Sequence, residues 1–445
     1  MNDPSEISAR RIAQLRKLRG TWRSHGYGTL LEIDADGYRL HEETAVSCRC
    51  IFEGTLAELA EHLVDVRVSP RARGFSARRS TGVTRVHYRR LSRTPARCAQ
   101  AHPHLSKDPV LTFEVFWHTF LERYAMFDLR GVDWHELYAT HRPRVGPDTT
   151  PEALHGVLID MLRPLRDGHV SLHSPLGHFN AGGPIPLQER IADELGVAMQ
   201  DPRVGERLMA LRQQVRTIVE EHYVQGRPHR AGHGTMVWGR LDDRTGYLDL
   251  RAMAGMSGGA HRPRQDQHAA AGILDRVIRD LGELPAMVID VRGNPGGYDG
   301  VSLRIAGRFI DRKRLAFTKV ARARDRYTGR QSVHVEPRGK WRYGGQIYLL
   351  TSRLTFSAGE IFVLSMMQHP RVTRVGERTH GELSDVMERH LPNGWVVLLS
   401  NELYHAADGQ LYEDVGIPPQ VAIPYLLPED VEGGRDPMLD HVLGR

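Results

Sequence analysis

Ser357 stands in the segment Leu354-Thr355-Phe356-Ser357-Ala358-Gly359-Glu360, after the apolar run 347–350 and before Ile361-Phe362-Val363-Leu364. That order predicts a strand, a turn and a helix start. The hydroxyl would then lie near a positive helix end, which favours a nucleophile passing through an oxyanion-bearing acyl intermediate. Serine is also a common helix N-cap, and residue type leaves both roles open. A second loop, Arg292-Gly293-Asn294-Pro295-Gly296-Gly297, follows the run Met287-Val288-Ile289-Asp290, so its free backbone N–H groups could hold an oxyanion. Phosphate binding is the competing use, yet neither G-x-x-x-x-G-K-[ST] nor G-x-G-x-x-G is present. The chain has 24 histidines, so residue type alone selects none of them as the base such a serine needs.

The elements that must position these groups can be read from periodicity. From Gly246 onward, Tyr247-Leu248-Asp249-Leu250, a helical stretch through Ile273, Leu274, Val277 and Ile278, and then Met287 to Asp290 form a strand, helix, strand crossover. The cycle repeats through Leu303 and Ile305, then through 347–350 into the helix near Ser357. A hairpin is expected to turn at Pro392-Asn393-Gly394. Upstream, Phe113, Phe116, Trp117, Phe120, Leu121 and Tyr124 form the stripe of a core-facing helix, and a second helix begins at Pro151 and ends at Arg166-Asp167-Gly168-His169. Helical periodicity with many charges over 186–223 reads as a surface insertion. The fold expected is α/β, with a mixed-sheet core of βαβ units. The division is an N-terminal β-module over 1–66, an Arg-rich connector over 67–110, a helical subdomain with its insertion over 111–235, and the α/β core over 236–445.

Composition narrows the classes. At 445 residues the chain is expected to form two or three subdomains, and no apolar run approaches the roughly 20 residues that cross a bilayer. The first residues lack an apolar signal-peptide core, so a cytoplasmic protein is expected. The three cysteines, Cys48, Cys50 and Cys98, are odd in number and lack zinc-ligand spacing, which argues against a disulfide framework and for buried thiols. The net charge of +6 is modest, but residues 67–97 are rich in Arg and contain no Asp or Glu. With only Phe75 and Tyr88 available for stacking, that run reads as a solvated linker or edge in preference to a nucleic-acid surface.

Three blocks read together, Asp290 to Gly297, Thr355 to Glu360 and Gly376-Glu377-Arg378-Thr379-His380-Gly381, resemble the tail-specific, or C-terminal-processing, protease family. Leu165 to His169, the hairpin at Pro392 and Glu413-Asp414-Val415-Gly416-Ile417-Pro418-Pro419 extend the resemblance over about 113–424. Glu382 stands where the family's Ser-Lys branch leads toward its lysine, so the similarity is to the tricorn-core-like branch. It implies Ser357 as nucleophile, His169 as general base, Glu413 as the carboxylate orienting it, and an oxyanion hole from Ala358 with Gly296 or Gly297. It also implies a peptide or protein substrate, with no metal or cofactor and no membrane; a homo-oligomer stays open. Gly168 replaces the serine that precedes the branch's histidine, and His380 is the rival base. No match to the family's PDZ module is found between 177 and 233. The alternative function is an inert ligand- or peptide-binding protein on the same scaffold, as in the retinoid-binding relatives of these proteases.

Overall fold

The computed structural model describes residues 4–70, 73–80, 82–99, 105–259 and 262–445. It divides into two compact units, each assembled from segments distant in sequence: Met1–Gly182, Lys319–Gln331 and Ser384–Leu403 form one, and Gly183–Thr318, Ser332–Leu383 and Tyr404–Arg445 the other. The contiguous boundaries expected from sequence therefore do not describe the compact bodies. The hairpin around Pro392 packs with the N-terminal unit, and the helical insertion with the core unit.

In the N-terminal unit seven antiparallel strands run in the spatial order Cys48–Thr55, Gly37–Glu43, Thr29–Ile33, Gly20–Ser24, Arg85–Leu91, Gly74–Arg79 and Leu63–Val68. The Arg-rich stretch expected as a connector thus supplies two of the seven strands and the end of a third. Its arginines alternate with inward residues, and Phe75, Ala77, Val86 and Tyr88 are all buried, the period-two pattern of a sheet with one wet face. Phe75 stacks on Tyr88 at 4.5 Å and meets Trp22 edge-on at 5.0 Å. Cys48 and Cys98 are joined as a disulfide, leaving Cys50 as the free buried thiol. This bond overturns the expectation of three buried thiols; its partners lie 50 residues apart, on a strand and on the short helix Ala96–Ala99, a pairing that spacing does not reveal.

Asp108 caps the helix Pro109–Arg123 by accepting from the N–H groups of Val110 and Leu111, and Phe113, Phe116 and Phe120 are fully buried along it. Thr150 caps Pro151–Leu162, which leads through one 3₁₀ turn to Asp167. The expected hairpin forms, Val386–His390 pairing with Val396–Ser400, and the latter pairs with Ser171–Ser174 just after His169. The two returning segments are fastened at one buried point. Lys319 donates to Glu402 at 2.9 Å and to Thr84, and Glu402 accepts from the Tyr27 hydroxyl at 2.5 Å.

The core unit has a second seven-stranded sheet in the order Gln225–Ala231, Met236–Arg240, Thr245–Leu250, Ala286–Asp290, Gln346–Thr351, Val372–Gly376 and Val421–Ala422. The first two pairings are antiparallel and the rest parallel. This is the mixed sheet expected from the crossover pattern. The insertion is more than surface decoration: along Pro202–Ile218, residues Val204, Leu208, Leu211 and Val215 are buried in one cluster with Tyr247, Val288 and Leu350 of the sheet. Among the described residues no helix is long and apolar enough to cross a membrane.

The cystine sets a direct test. Thiol titration of denaturant-unfolded, unreduced protein is expected to find one thiol per chain, and three after reduction. Reduction should also lower the unfolding midpoint, because closing a loop of this length is worth about 3–5 kcal/mol in the chain-entropy treatment.

Candidate functional site

Three parallel strands of the core unit end side by side at Asp290, Thr351 and Gly376, and the loops leaving their carboxyl ends carry the motifs. Crevices of open α/β sheets lie at this edge. The first loop is held by buried polar groups. Arg292, 2% exposed, donates to both carboxylate oxygens of Asp290 and to Asp436 at 2.9 Å, and lies 5.0 Å over the Tyr425 ring. Asn294, fully buried, donates its side-chain amide to the Leu250 carbonyl at 2.7 Å. Its Oδ1 accepts the Gly296 N–H at 2.9 Å, and its carbonyl accepts the Phe356 N–H at 3.0 Å. Thr355 Oγ1 donates to the Val291 carbonyl at 2.9 Å, Ser352 Oγ to Arg292 at 2.5 Å and Ser302 Oγ to Ala358 at 2.6 Å. Glycine loop and serine turn are one hydrogen-bonded body.

Ser357 lies immediately before the helix Ala358–Met366 at φ 54°, ψ −125°. A positive φ at a residue with a Cβ costs of order 1–3 kcal/mol and persists only where its surroundings enforce it. The hydroxyl makes no capping hydrogen bond. The Ser357 carbonyl instead receives the N–H groups of Glu360 and Ile361 at 2.8 and 3.1 Å, so the serine occupies the cap position without capping through its side chain. The first helical N–H, that of Ala358, has no intrahelical acceptor. A Cβ added to Gly296 would fall 2.6 Å from Ser357 Cβ and 2.9 Å from the Ala358 nitrogen, which puts the glycine loop against the serine turn. Of the two candidate glycine donors, Gly296 has its N–H committed to Asn294; the Gly297 N–H is engaged by no other described residue. Gly297 has φ 142°, and a Cβ there would fall 2.4 Å from the Met253 carbonyl carbon, so the position demands glycine.

Glu360 has a role that local sequence does not display. Its carboxylate is fully buried and accepts the N–H groups of Gly381 and Glu382, both at 2.8 Å, and of Ser357 at 3.2 Å. Burial pushes this carboxyl up to about 7, against the pull of those hydrogen bonds and one from Thr379. The next residue, Leu383, donates its N–H to Glu413 Oε2 at 3.0 Å, and the segment bearing Glu413 is zipped to the same loop by Asp414 N–H to Gly381 and Thr379 N–H to Ile417. Glu413 is 1% exposed. His380 sits between, its Nδ1 3.0 Å from the Arg353 carbonyl and its ring edge-on to Phe356 at 4.8 Å. A carbonyl only accepts, so Nδ1 carries a hydrogen in that bond. Ser357, Ala358, Gly296, Gly297, Glu413 and His380 are thus all in the core unit.

His169 belongs to the N-terminal unit. Its turn is fixed by Asp167, fully buried, which accepts the His169 N–H at 2.8 Å, the Tyr124 hydroxyl at 3.0 Å and the Ser400 hydroxyl at 3.2 Å. Asn180 holds the Gly168 carbonyl at 2.8 Å. An Asp two residues before a histidine is itself a turn signal, but Tyr124 and Ser400 could not be found from local sequence.

The family model for Peptidase family S41 matches residues 244–423, and that for the Tricorn protease C1 domain matches residues 111–163. The carboxy-terminal-processing protease of Bartonella bacilliformis is 23% identical over 186 residues, 40% of this chain and 41% of the relative. The tail-specific protease of Haemophilus influenzae is 30% identical over 97 residues, 22% of this chain and 13% of the relative. The matched segments therefore span less than half of either relative. A crystal structure from Parabacteroides merdae, described as of a peptidase, superposes with a TM-score of 0.60 at 24% identity, covering 76% of this chain and 96% of that one; it is a likeness of fold.

Two substitutions test how the site is held. Asn294→Ala strands the Gly296 N–H and the Leu250 carbonyl in the interior, and each unpaired buried group costs about 1–3 kcal/mol; denaturant titration should show the loss. For Glu360 the native carboxyl keeps its proton between pH 4.5 and about 7, where the unfolded one has lost it. Stability from this group is therefore full below 4.5 and falls as pH rises through 7, by roughly 3 kcal/mol in all. Glu360→Gln sets an amide against backbone N–H groups and should be less stable than the parent at pH 5. The gap between the two unfolding curves is expected to narrow toward pH 8.

Proposed function

We propose that this chain, whose residues 244–423 match the model for peptidase family S41, is a serine peptidase that cleaves peptides or unfolded segments through a Ser357 acyl-enzyme. The observation that carries this reading is the state of Ser357: a strained backbone, a hydroxyl not used as a cap, and the Ala358 N–H beside it without an intrahelical acceptor. In the proposed reaction Ser357 Oγ attacks the scissile carbonyl, and the Ala358 and Gly297 N–H groups receive the oxygen as it gains charge. Gly296 shapes the hole without donating to it. His169 takes the serine proton and returns it to the leaving amine, and Glu413 orients the imidazolium or stabilises its charge. The support for His169 is its correspondence to the tricorn-type histidine and its buried, Asp167-fixed turn; for Glu413 it is burial on the loop that Glu360 ties to Ser357. The Cys48–Cys98 disulfide favours a compartment that does not reduce it over the cytoplasm expected from the sequence.

A fluorophosphonate probe followed by intact-mass analysis tests it. One adduct per chain is expected, lost in Ser357→Ala, with the labelling rate of His169→Ala falling by ~10³ or more and that of His380→Ala by less than tenfold. The reverse ranking of the two histidines would transfer the base to His380. Labelling of Ser357→Ala at the parental rate would sink the acyl-enzyme. Well-folded parent that takes no label and turns over no peptide would favour the inert binding scaffold.

A further inference from the structure

Six arginines from five separate stretches of chain line one cavity of about 530 Å³ in the N-terminal unit: Arg23, Arg89, Arg97, Arg123, Arg324 and Arg326. Few carboxylates answer them. Glu43 in the wall pairs with Arg23 at 2.8 Å and Arg97 at 3.0 Å, and Glu122 pairs with Arg123 at 3.1 Å and Arg324 at 3.0 Å. Two acids therefore stand against six guanidiniums. Arg89 and Arg326 are exposed and, among the described residues, enter no ion pair or side-chain hydrogen bond. Arg123 is the opposite case, with its side chain 9% exposed. Burial, opposed by Glu122 and reinforced by Arg389 and Arg324, pulls its guanidinium down to about 10.

Like charges gathered around one space raise the cost of charging each member, and an anion seated among them lowers it. Guanidinium is the group suited to that task, because its planar fork meets two oxygens of a phosphate at once and gives up its hydration more readily than an ammonium. The volume is that of a small-molecule site. The wall carries the His25 imidazole but no Phe, Tyr or Trp, so recognition must rest chiefly on charge. Arg89 and Arg97 come from the acid-free run that stood out in the sequence, where its arginines had no assigned purpose.

We propose that this cavity binds an oligophosphate, a chain of two or more linked phosphate groups, either free or carried by a nucleoside. The inference stands apart from the peptidase reading, since none of its residues belongs to the Ser357 site. Titration calorimetry of the full chain at 150 mM salt tests it with four probes: inorganic triphosphate, ATP, orthophosphate and a polyglutamate peptide. One-to-one saturation by triphosphate is expected, at least tenfold tighter than orthophosphate, and weakened at least tenfold by the pair Arg89→Glu and Arg326→Glu. Both residues are exposed and unpaired, so the double variant should keep the parental circular dichroism. ATP binding tenfold tighter than triphosphate would mark a nucleoside-borne chain, and equal or weaker binding a free one. Absence of one-to-one saturation overturns the proposal, as does a double variant that binds like the parent. Orthophosphate matching triphosphate, or polyglutamate binding in its place, would also overturn it.

Discussion

A carboxylate with no access to water receives three backbone N–H groups at Glu360, and the geometry of the core unit's loops follows from it. One of those N–H groups belongs to Ser357, whose left-handed backbone would relax if nothing gripped it. The other two belong to Gly381 and Glu382, the residues that lead to the Leu383 N–H on which Glu413 rests. One side chain thus sets the serine turn and the glutamate loop in a single frame. Burial raises its affinity for a proton while hydrogen bonding lowers it, and the outcome near neutrality makes it both a strut and a titrating group.

Asn294 does the corresponding work for the glycine loop. Its amide and carbonyl are spent on Leu250, Gly296 and Phe356. By occupying the Gly296 N–H it leaves Gly297 as the candidate glycine donor for the proposed reaction. Preorganised donors of this kind cost nothing to arrange at the moment of reaction. The salt bridge of Arg292 with Asp290 and Asp436 lies beneath the loop and fixes its departure from the strand.

Much of this was legible in the residues, and the failures have physical reasons. The crossover units, the serine turn, the helix stripes at Phe113 and Val204 and the hairpin at Pro392 all show in local periodicity, because each buries one face. The strands holding Phe75 and Tyr88 were hidden by their arginines, which cover the outward face and mimic a linker. Glu360 looks in sequence like any helix-start acid, since its three donors come from residues 3 to 22 positions away. The difference between the Gly296 and Gly297 N–H groups rests on one Asn side chain. The Cys48–Cys98 bond and the Lys319–Glu402 pair join distant segments, a kind of contact that no window of sequence displays.

The interleaving of the two units bears on how the chain is made. A ribosome delivers about 5–20 residues each second, and domains tend to fold as soon as they are complete. Here the N-terminal sheet emerges early, but Glu402, which pairs with Lys319 beneath Tyr27 and Thr84, emerges only after most of the core unit has been made. Glu413 emerges later still. The N-terminal body is complete only once Leu403 has been made, and the core body later still, so Ser357 leaves the ribosome before its glutamate loop is built. On the mechanism proposed above, a nascent chain would therefore stay inactive until synthesis had passed Glu413.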